Sequence, residues 1–271
     1  MGTENRQIQM VVFDWAGTTV DYGSSAPSVV FDCVLTAAGL HLTREEINRP
    51  MGLEKKAHIR QLLSSESGSA QWQQLYGRVW SEQDVDKLYE TFEATLHTVV
   101  AEYSTPLPGV AETVDKLRGM GLKIGSTTGY NSAMMAEVLP VAKAAGYAAD
   151  CVVTPDVTGI GRPAPFMVFE CMRQLNVYPP RCVVKVGDTV VDMQEGKNAG
   201  AFAIGILTGS NLLGLTKEEY DAMPAELLAQ RKQVAADRYR AAGADLVIDS
   251  IRDLPAAIET LNERLRKEGS L

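Results

Sequence analysis

The segment FDWAGTTVD at residues 13–21 ends an apolar run with an aspartate, Asp14, and follows it with a Gly-Thr-Thr turn. Ligands of open parallel α/β sheets bind beyond the carboxyl ends of the strands, so a carboxylate there and the amides of the turn would face one point. Such a carboxylate can attack phosphorus and form an acyl phosphate, which divides one hard displacement into two easier steps. An aspartate in this place serves equally well as a cap for the turn, and the residue alone does not choose.

Three later segments bear on the choice. STTGY at 126–130 offers Thr128 and the amide of Gly129 to a phosphoryl oxygen, or is a simple turn. GRP at 161–163 offers Arg162 just before a proline-opened helix; a guanidinium fits phosphate oxygens well, although a lone loop arginine is usually solvated. VGDTVVD at 186–192 sets a second carboxylate, Asp188, directly after an apolar strand, with Asp192 one helical turn further on. Carboxylates gathered at neighbouring strand ends repel one another unless compensated, and they suit a hard cation such as magnesium.

The elements that must position these residues alternate along the chain. From about Pro106 onward, helices ending in glycine precede short β-type runs: helix 109–120 before strand 122–127, helix 131–145 before strand 151–154, a helix near 164–175 before strand 182–187, a helix ending near Gly200 before strand 201–207, and strand 245–248 before a closing helix. This is the pattern of a parallel sheet with crossover helices. The run MVVFDW at 10–15 is apolar enough for the centre of that sheet. Between it and Pro106 helical periodicity dominates, with PSVVFDCVLTAAG, a capping box at Thr43 and Glu46, and a long run from Asp84 to Tyr103. The division expected is a core domain of residues 1–21 and 103–271 and a helical insert of 22–102.

With 271 residues, 45% of them hydrophobic, the chain can bury a large core. Its net charge of −8 disfavours nucleic acid and anionic membrane as partners. No apolar run approaches the length of a membrane span and no secretory signal is evident, so a cytoplasmic protein is expected. The four cysteines form no CxxC pair, which leaves no zinc site or disulfide framework to propose.

Taken in order, strand-end DxAxT, strand-end Thr, a basic residue before proline and strand-end GDxxxD resemble the four motifs of the haloacid dehalogenase superfamily over nearly the whole chain. The resemblance implies a Rossmann-like α/β core with an inserted α-helical cap at 22–102. It also implies a nucleophilic Asp14 and Mg²⁺ held by Asp14, the Ala16 carbonyl and Asp188. Thr128, Gly129 and Arg162 would bind the phosphorus oxygens, with Thr18 and Asp192 supporting the metal ligands from behind.

In the phosphatase branch the first motif reads DxD, and its second aspartate protonates a departing alcohol oxygen; here that position is Ala16. The loss is harmless if a C–P bond is broken, because a carbon leaving group needs an electron sink, which a lysine imine of an adjacent aldehyde supplies. The set DWAGTTVDYG, PMGLxK, KIGSTTGY, GRPxP and VGDTxxDMxEGxNAG is similar to the phosphonoacetaldehyde hydrolase (phosphonatase) family. That family resemblance makes Lys55 the imine-forming residue, in RPMGLEKKAHI at 49–59, with Lys56 a neighbour; without it, both read as solvated lysines. Apolar walls such as Met51 and Leu53, with a nearby cation, are expected to depress the Lys55 pKa. His58 and Tyr130 are candidates to order the attacking water, although His58 could equally just pack on its helix. The family also implies a homodimer joined through the cap, whereas the apolar stripe of PSVVFDCVLTAAG is read more economically as facing the core. The aspartate-rich loop before Arg162 is reduced here to Asp156. Two rival readings stay open, a phosphatase or phosphomutase of small phosphate esters and a non-catalytic phosphate-binding protein. Ala16 weighs against the first, and the joint presence of Asp14, Thr128, Arg162 and Asp188 against the second.

Overall fold

A computed structural model describes residues 7–268. Six parallel strands form one sheet, β1 (Met10–Phe13), β2 (Lys123–Thr127), β3 (Cys151–Val153), β4 (Val183–Gly187), β5 (Phe202–Ile206) and β6 (Leu246–Ile248), in the order β3-β2-β1-β4-β5-β6. All four residues of β1 and all five of β4 are buried, which is why β1 reads as continuously apolar and β4 as apolar but for Lys185, rather than alternating. The register pairs Phe13 with Ser126 on one side and with Val186 on the other. Asp14, Thr128 and Asp188 therefore emerge together at one edge of the sheet. The chain order reverses across β1 and β4, and a crevice outside the strand ends belongs there.

Five helices lie between β1 and the first core helix: α1 (Ser25–Ala37), α2 (Arg44–Asn48), α3 (Lys55–Ser64), α4 (Glu66–Tyr76) and α5 (Glu82–Val99). The expected capping box is present, with Glu46 accepting from the Thr43 amide at 2.7 Å and Thr43 capping Glu46. A second box, Ser81 with Asp84, starts α5. Glu54 starts α3 by accepting from the amides of Lys56 and Ala57 at 2.9 Å, which sets Lys55 as the first helical residue. The apolar stripe of α1 faces inward, with Val30, Phe31, Val34 and Leu35 buried and Phe31 stacked on Phe92 at 4.2 Å.

These helices share one apolar cluster with the face of the sheet carrying α6 (Val110–Gly119) and α7 (Ser132–Ala144). Polar ties reinforce the junction. Asn131, which caps α7, donates to Glu93 at 2.6 Å and Tyr89 at 3.0 Å, and His97 meets Glu137 at 2.6 Å. The remaining helices, α8 (Pro155–Thr158), α9 (Phe166–Leu175), α10 (Val190–Asn198), α11 (Lys217–Ala222), α12 (Ala225–Ala241) and α13 (Leu254–Glu268), complete the layers. One boundary differs from the expectation that Pro163 opens a helix. The chain turns after Arg162, and α9 starts at Phe166, with Pro165 as its N-cap.

Candidate active site

Asp14 leaves β1 at the head of a tight loop in which the Trp15 carbonyl accepts from the amides of Thr18, Thr19 and Val20. The Thr19 hydroxyl returns to the Asp14 carbonyl at 3.0 Å, and the Trp15 indole donates to Ser126 on β2. The first contact closes the loop on the end of β1 and the second ties it to β2. One oxygen of Asp14 accepts from Arg162 Nη2 at 2.8 Å.

Asp188, fully buried, accepts from Thr18 Oγ1 at 3.0 Å on one oxygen and from the Asn211 amide at 2.8 Å on the other. The Ser24 hydroxyl donates to the Ala16 carbonyl at 3.1 Å and also approaches Asp188 at 3.4 Å, so these two oxygens face a common point. Among the described residues, Asp14, Asp188 and Asp192 form an acidic group in which one oxygen of each lies within 4.8 Å of the others. Burial first, then Asp14 and Asp192, pushes the Asp188 carboxyl well above its usual range. Asp192 is already neutralised by Arg162 and Lys185, whereas Asp188 forms no ion pair among the described residues. Buried negative charge without a partner, presented by oxygen atoms alone, is the donor set a hard divalent cation takes.

Arg162 is only 4% exposed. It bridges Asp14 and Asp192 with its two terminal nitrogens. Burial would lower its pKa, but Asp14, then Asp192 and Glu195, outweigh it and hold the guanidinium charged. The solvated-arginine alternative is thereby excluded. Asp156 lies apart from this group and accepts from the Ser132 amide at 3.0 Å.

The loop before α3 lies directly over the strand ends. Gly52 has φ +95°, and a Cβ there would meet Thr189 Oγ1 at 2.5 Å; a Cβ on Gly129 would meet the Leu53 carbonyl at 2.5 Å. Both glycines are required by close approach. Lys55 is consequently buried, also at 4% exposure. Its Nζ lies 3.9 Å from Met51 Sδ, 5.0 Å from the centre of the Tyr130 ring and 5.8 Å from that of Phe31. Among the described residues it forms no ion pair. Burial first, then the Arg162 charge, lowers its pKa to about 8, against weaker pulls from Asp14, Glu54 and Asp21. Lys56 points elsewhere, pairing with Asp86 at 2.5 Å.

Thr128 is buried and accepts from the Tyr130 amide at 3.1 Å. Burial, with Asp21 and Asp14, raises the Tyr130 phenol well above its usual range. The His58 ring packs on Phe31 at 4.0 Å and its Nε2 meets the Ile47 carbonyl at 2.8 Å, while Nδ1 has no partner. Burial, then Lys55, holds it neutral. Asp14, Arg162, Asp188 and Asp192 thus converge at the strand ends, with Lys55 against Met51 and Tyr130 above them, while His58 packs against Phe31 and the Ile47 carbonyl.

Four neighbours were not singled out from sequence. Asp21 is buried and accepts from the Ser25 amide at 2.8 Å and from Ala26; burial, against those bonds and Lys55, raises it to about 7. Ser24 is the link between Ala16 and Asp188 described above. Lys185 and Glu195 form an ion pair below the site. Lys185 carried a readable signal, a lysine in the middle of an otherwise apolar strand; the others did not stand out from ordinary turn and helix residues.

A family profile described as haloacid dehalogenase-like hydrolase matches residues 8–200. The chain is 45% identical to a phosphonoacetaldehyde hydrolase of Bacillus cytotoxicus, covering 95% of this chain and 98% of that one. It is 46% identical to a phosphonoacetaldehyde hydrolase of Bacteroides fragilis, covering 96% and 99%. The chain belongs to the phosphonoacetaldehyde hydrolase family. It is therefore a hydrolase of the haloacid dehalogenase superfamily. A crystal structure of a phosphonoacetaldehyde hydrolase-like protein from Oleispira antarctica superposes with TM-score 0.93 at 35% identity, over 98% of each chain. The superposition extends the phosphonoacetaldehyde hydrolase relationship from the strands to the inserted helices.

Proposed function

We propose that this enzyme hydrolyses the carbon–phosphorus bond of phosphonoacetaldehyde to acetaldehyde and phosphate. The observation that carries the reading is the amine of Lys55, which is buried, unpaired among the described residues and lowered to about 8, beside a first motif that has a methyl at Ala16. An ester phosphatase needs an acid at that position to protonate its leaving oxygen. A C–P hydrolase needs a neutral amine instead.

Lys55 attacks the aldehyde and loses water to give an iminium. Asp14 attacks phosphorus, the C–P pair flows into the iminium as an enamine, and an aspartyl phosphate forms. Carbon is then protonated, water returns the imine to acetaldehyde and free Lys55, and a second water releases phosphate from Asp14. Thr128, the Gly129 amide and Arg162 hold the phosphorus oxygens, and His58 and Tyr130 flank the amine and order water. Magnesium held by Asp14, the Ala16 carbonyl and Asp188 would supply positive charge to those oxygens and offset the excess of carboxylates. Thr18 and Asp192 orient that set.

Residues 22–102 serve as a mobile cap on a core of 1–21 and 103–271. Three residues with positive φ, Asp21 at 55°, Gly23 at 74° and Ser24 at 54°, flank Tyr22 and support a pivot there. A cap that closes would exclude water from the imine. A cytoplasmic setting is in keeping with cysteines that form no disulfide among the described residues, and no described helix is long and apolar enough to cross a membrane. A homodimer joined through the cap would have exposed apolar residues of the insert to use, among them Val29 on α1 and Leu75, Tyr76 and Val79 at and just beyond the end of α4.

The test is release of acetaldehyde and phosphate in equal amounts from phosphonoacetaldehyde, with sugar phosphates as controls. Phosphate from the esters alone, or no release from any substrate, contradicts the proposal.

A further inference from the structure

Below the strand ends lies a charge network that the chemistry above leaves without a task. Lys185, in the middle of β4, is fully buried. Its Nζ lies 3.0 Å from Asp192 Oδ1 and 3.2 Å from Glu195 Oε2, and donates to Thr127 Oγ1 at 2.8 Å. Thr127 passes the chain on by donating to Glu195 Oε2 at 2.9 Å. Apolar side chains of similar volume would stabilise this part of the core as well or better, so the buried pair calls for a reason other than stability.

Asp192 supplies that reason. Its Oδ2 is held by the Thr189 amide at 3.1 Å and hydroxyl at 2.6 Å, which fixes the carboxylate in place. Its Oδ1 serves two cations at once, Lys185 and Arg162 Nη1. Arg162 spends its other arm on Asp14. The more of the Asp192 charge Lys185 takes, the less Arg162 is neutralised, and among side chains this deeply buried such a redistribution is little screened by salt.

We infer that Lys185 and Glu195 are positioning residues that set how strongly Arg162 holds the phosphorus-bearing group. Three carboxylates, Asp14, Asp192 and Glu195, are matched against two cations, Arg162 and Lys185. Without Lys185 the whole of Asp192 falls to Arg162, and the guanidinium is less available to an anion. Without the Glu195 charge, Lys185 turns wholly to Asp192, and Arg162 is more available. Thr127 ties the same network to Thr128 on the neighbouring loop. The inference rests on the proposed role of Arg162 in binding phosphorus oxygens.

Calorimetric titration of the magnesium-loaded enzyme with inorganic phosphate tests it. Lys185→Met should weaken phosphate binding by about tenfold or more, and Glu195→Gln should tighten it several-fold. The double variant should bind phosphate about as weakly as Lys185→Met, because Glu195 acts on Arg162 through Lys185. A packing role alone would move both single variants toward weaker binding and make the double variant weaker than either, and either result overturns the inference. If Lys185→Met does not fold, Glu195→Gln decides: tighter binding supports the network, unchanged or weaker binding overturns it. A wild type that binds no phosphate contradicts the role of Arg162 itself and the inference with it, whereas shifts of one sign in a binding-competent enzyme sink the network alone.

Discussion

At the carboxyl ends of the strands, Arg162 is buried against Asp14 and Asp192 and held fully charged. In the helices above, Lys55 is buried to the same extent but meets Met51, Tyr130 and Phe31, and its pKa falls to about 8. Equal burial yields opposite pKa shifts because one cation is given carboxylates and the other is given rings and a thioether. The difference teaches how neighbouring elements can hold both a permanent cation for an anionic group and an amine that readily gives up its proton for a carbonyl. The Arg162 charge also helps lower the amine's pKa, so the two regions are coupled.

The severest way to break the comparison is to remove either reacting group. Asp14→Asn should reduce turnover of phosphonoacetaldehyde by more than about 10⁴-fold, and Lys55→Arg, which keeps a charge but cannot form the imine, by more than about 10³-fold. Steady-state assay of both products checks each variant.

A subtler change makes the amine's surroundings resemble those of the arginine. Met51→Glu would put a carboxylate beside Nζ and should raise the acid limb of the kcat/KM profile by about 1–2 pH units. In the unaltered enzyme that limb should fall below pH 8, since only the neutral amine attacks. An unmoved limb in Met51→Glu would mean that another group sets it.

Stability offers a third comparison. Lys55 titrates near 10.5 when unfolded and at about 8 when folded, so the fold binds that proton less tightly. Below pH 8 the buried charge costs the fold about 3 kcal/mol, and the cost fades as pH rises toward 10.5. Lys55→Met should therefore be more stable than wild type in urea at pH 6.5, with the advantage shrinking at pH 10. The smallest effect concerns the helices alone. Thr43→Ala removes a cap far from the chemistry and should lower stability by about 1 kcal/mol while leaving kcat unchanged.

Strands were legible because a parallel sheet buried on both faces leaves continuous apolar runs, as in MVVF and, but for Lys185, VVKVG. The motif residues were legible because their chemistry is confined to strand ends. The insert was recognised as helical, yet its short helices α3 and α4 had no clear bounds in the sequence, since their starts depend on caps such as Glu54 and Ser65 rather than on apolar periodicity. Asp21 and Glu195 stand in the motif strings but had no role there, because their burial follows from the packing of helices onto the sheet. Arg162 was legible as a site residue through the order of the motifs, but its burial was not, because a lone loop arginine is usually solvated and its two partners lie 148 and 30 residues away.

The central claim is that Lys55 forms a covalent imine with the substrate in the enclosure that holds Asp14. Incubation with phosphonoacetaldehyde and borohydride, followed by peptide mass spectrometry, tests it most directly. The account expects inactivation together with a reduced two-carbon adduct on Lys55 and on no other lysine, and none in the Lys55→Arg variant. Full activity after borohydride, or an adduct on Lys56 instead, would contradict it.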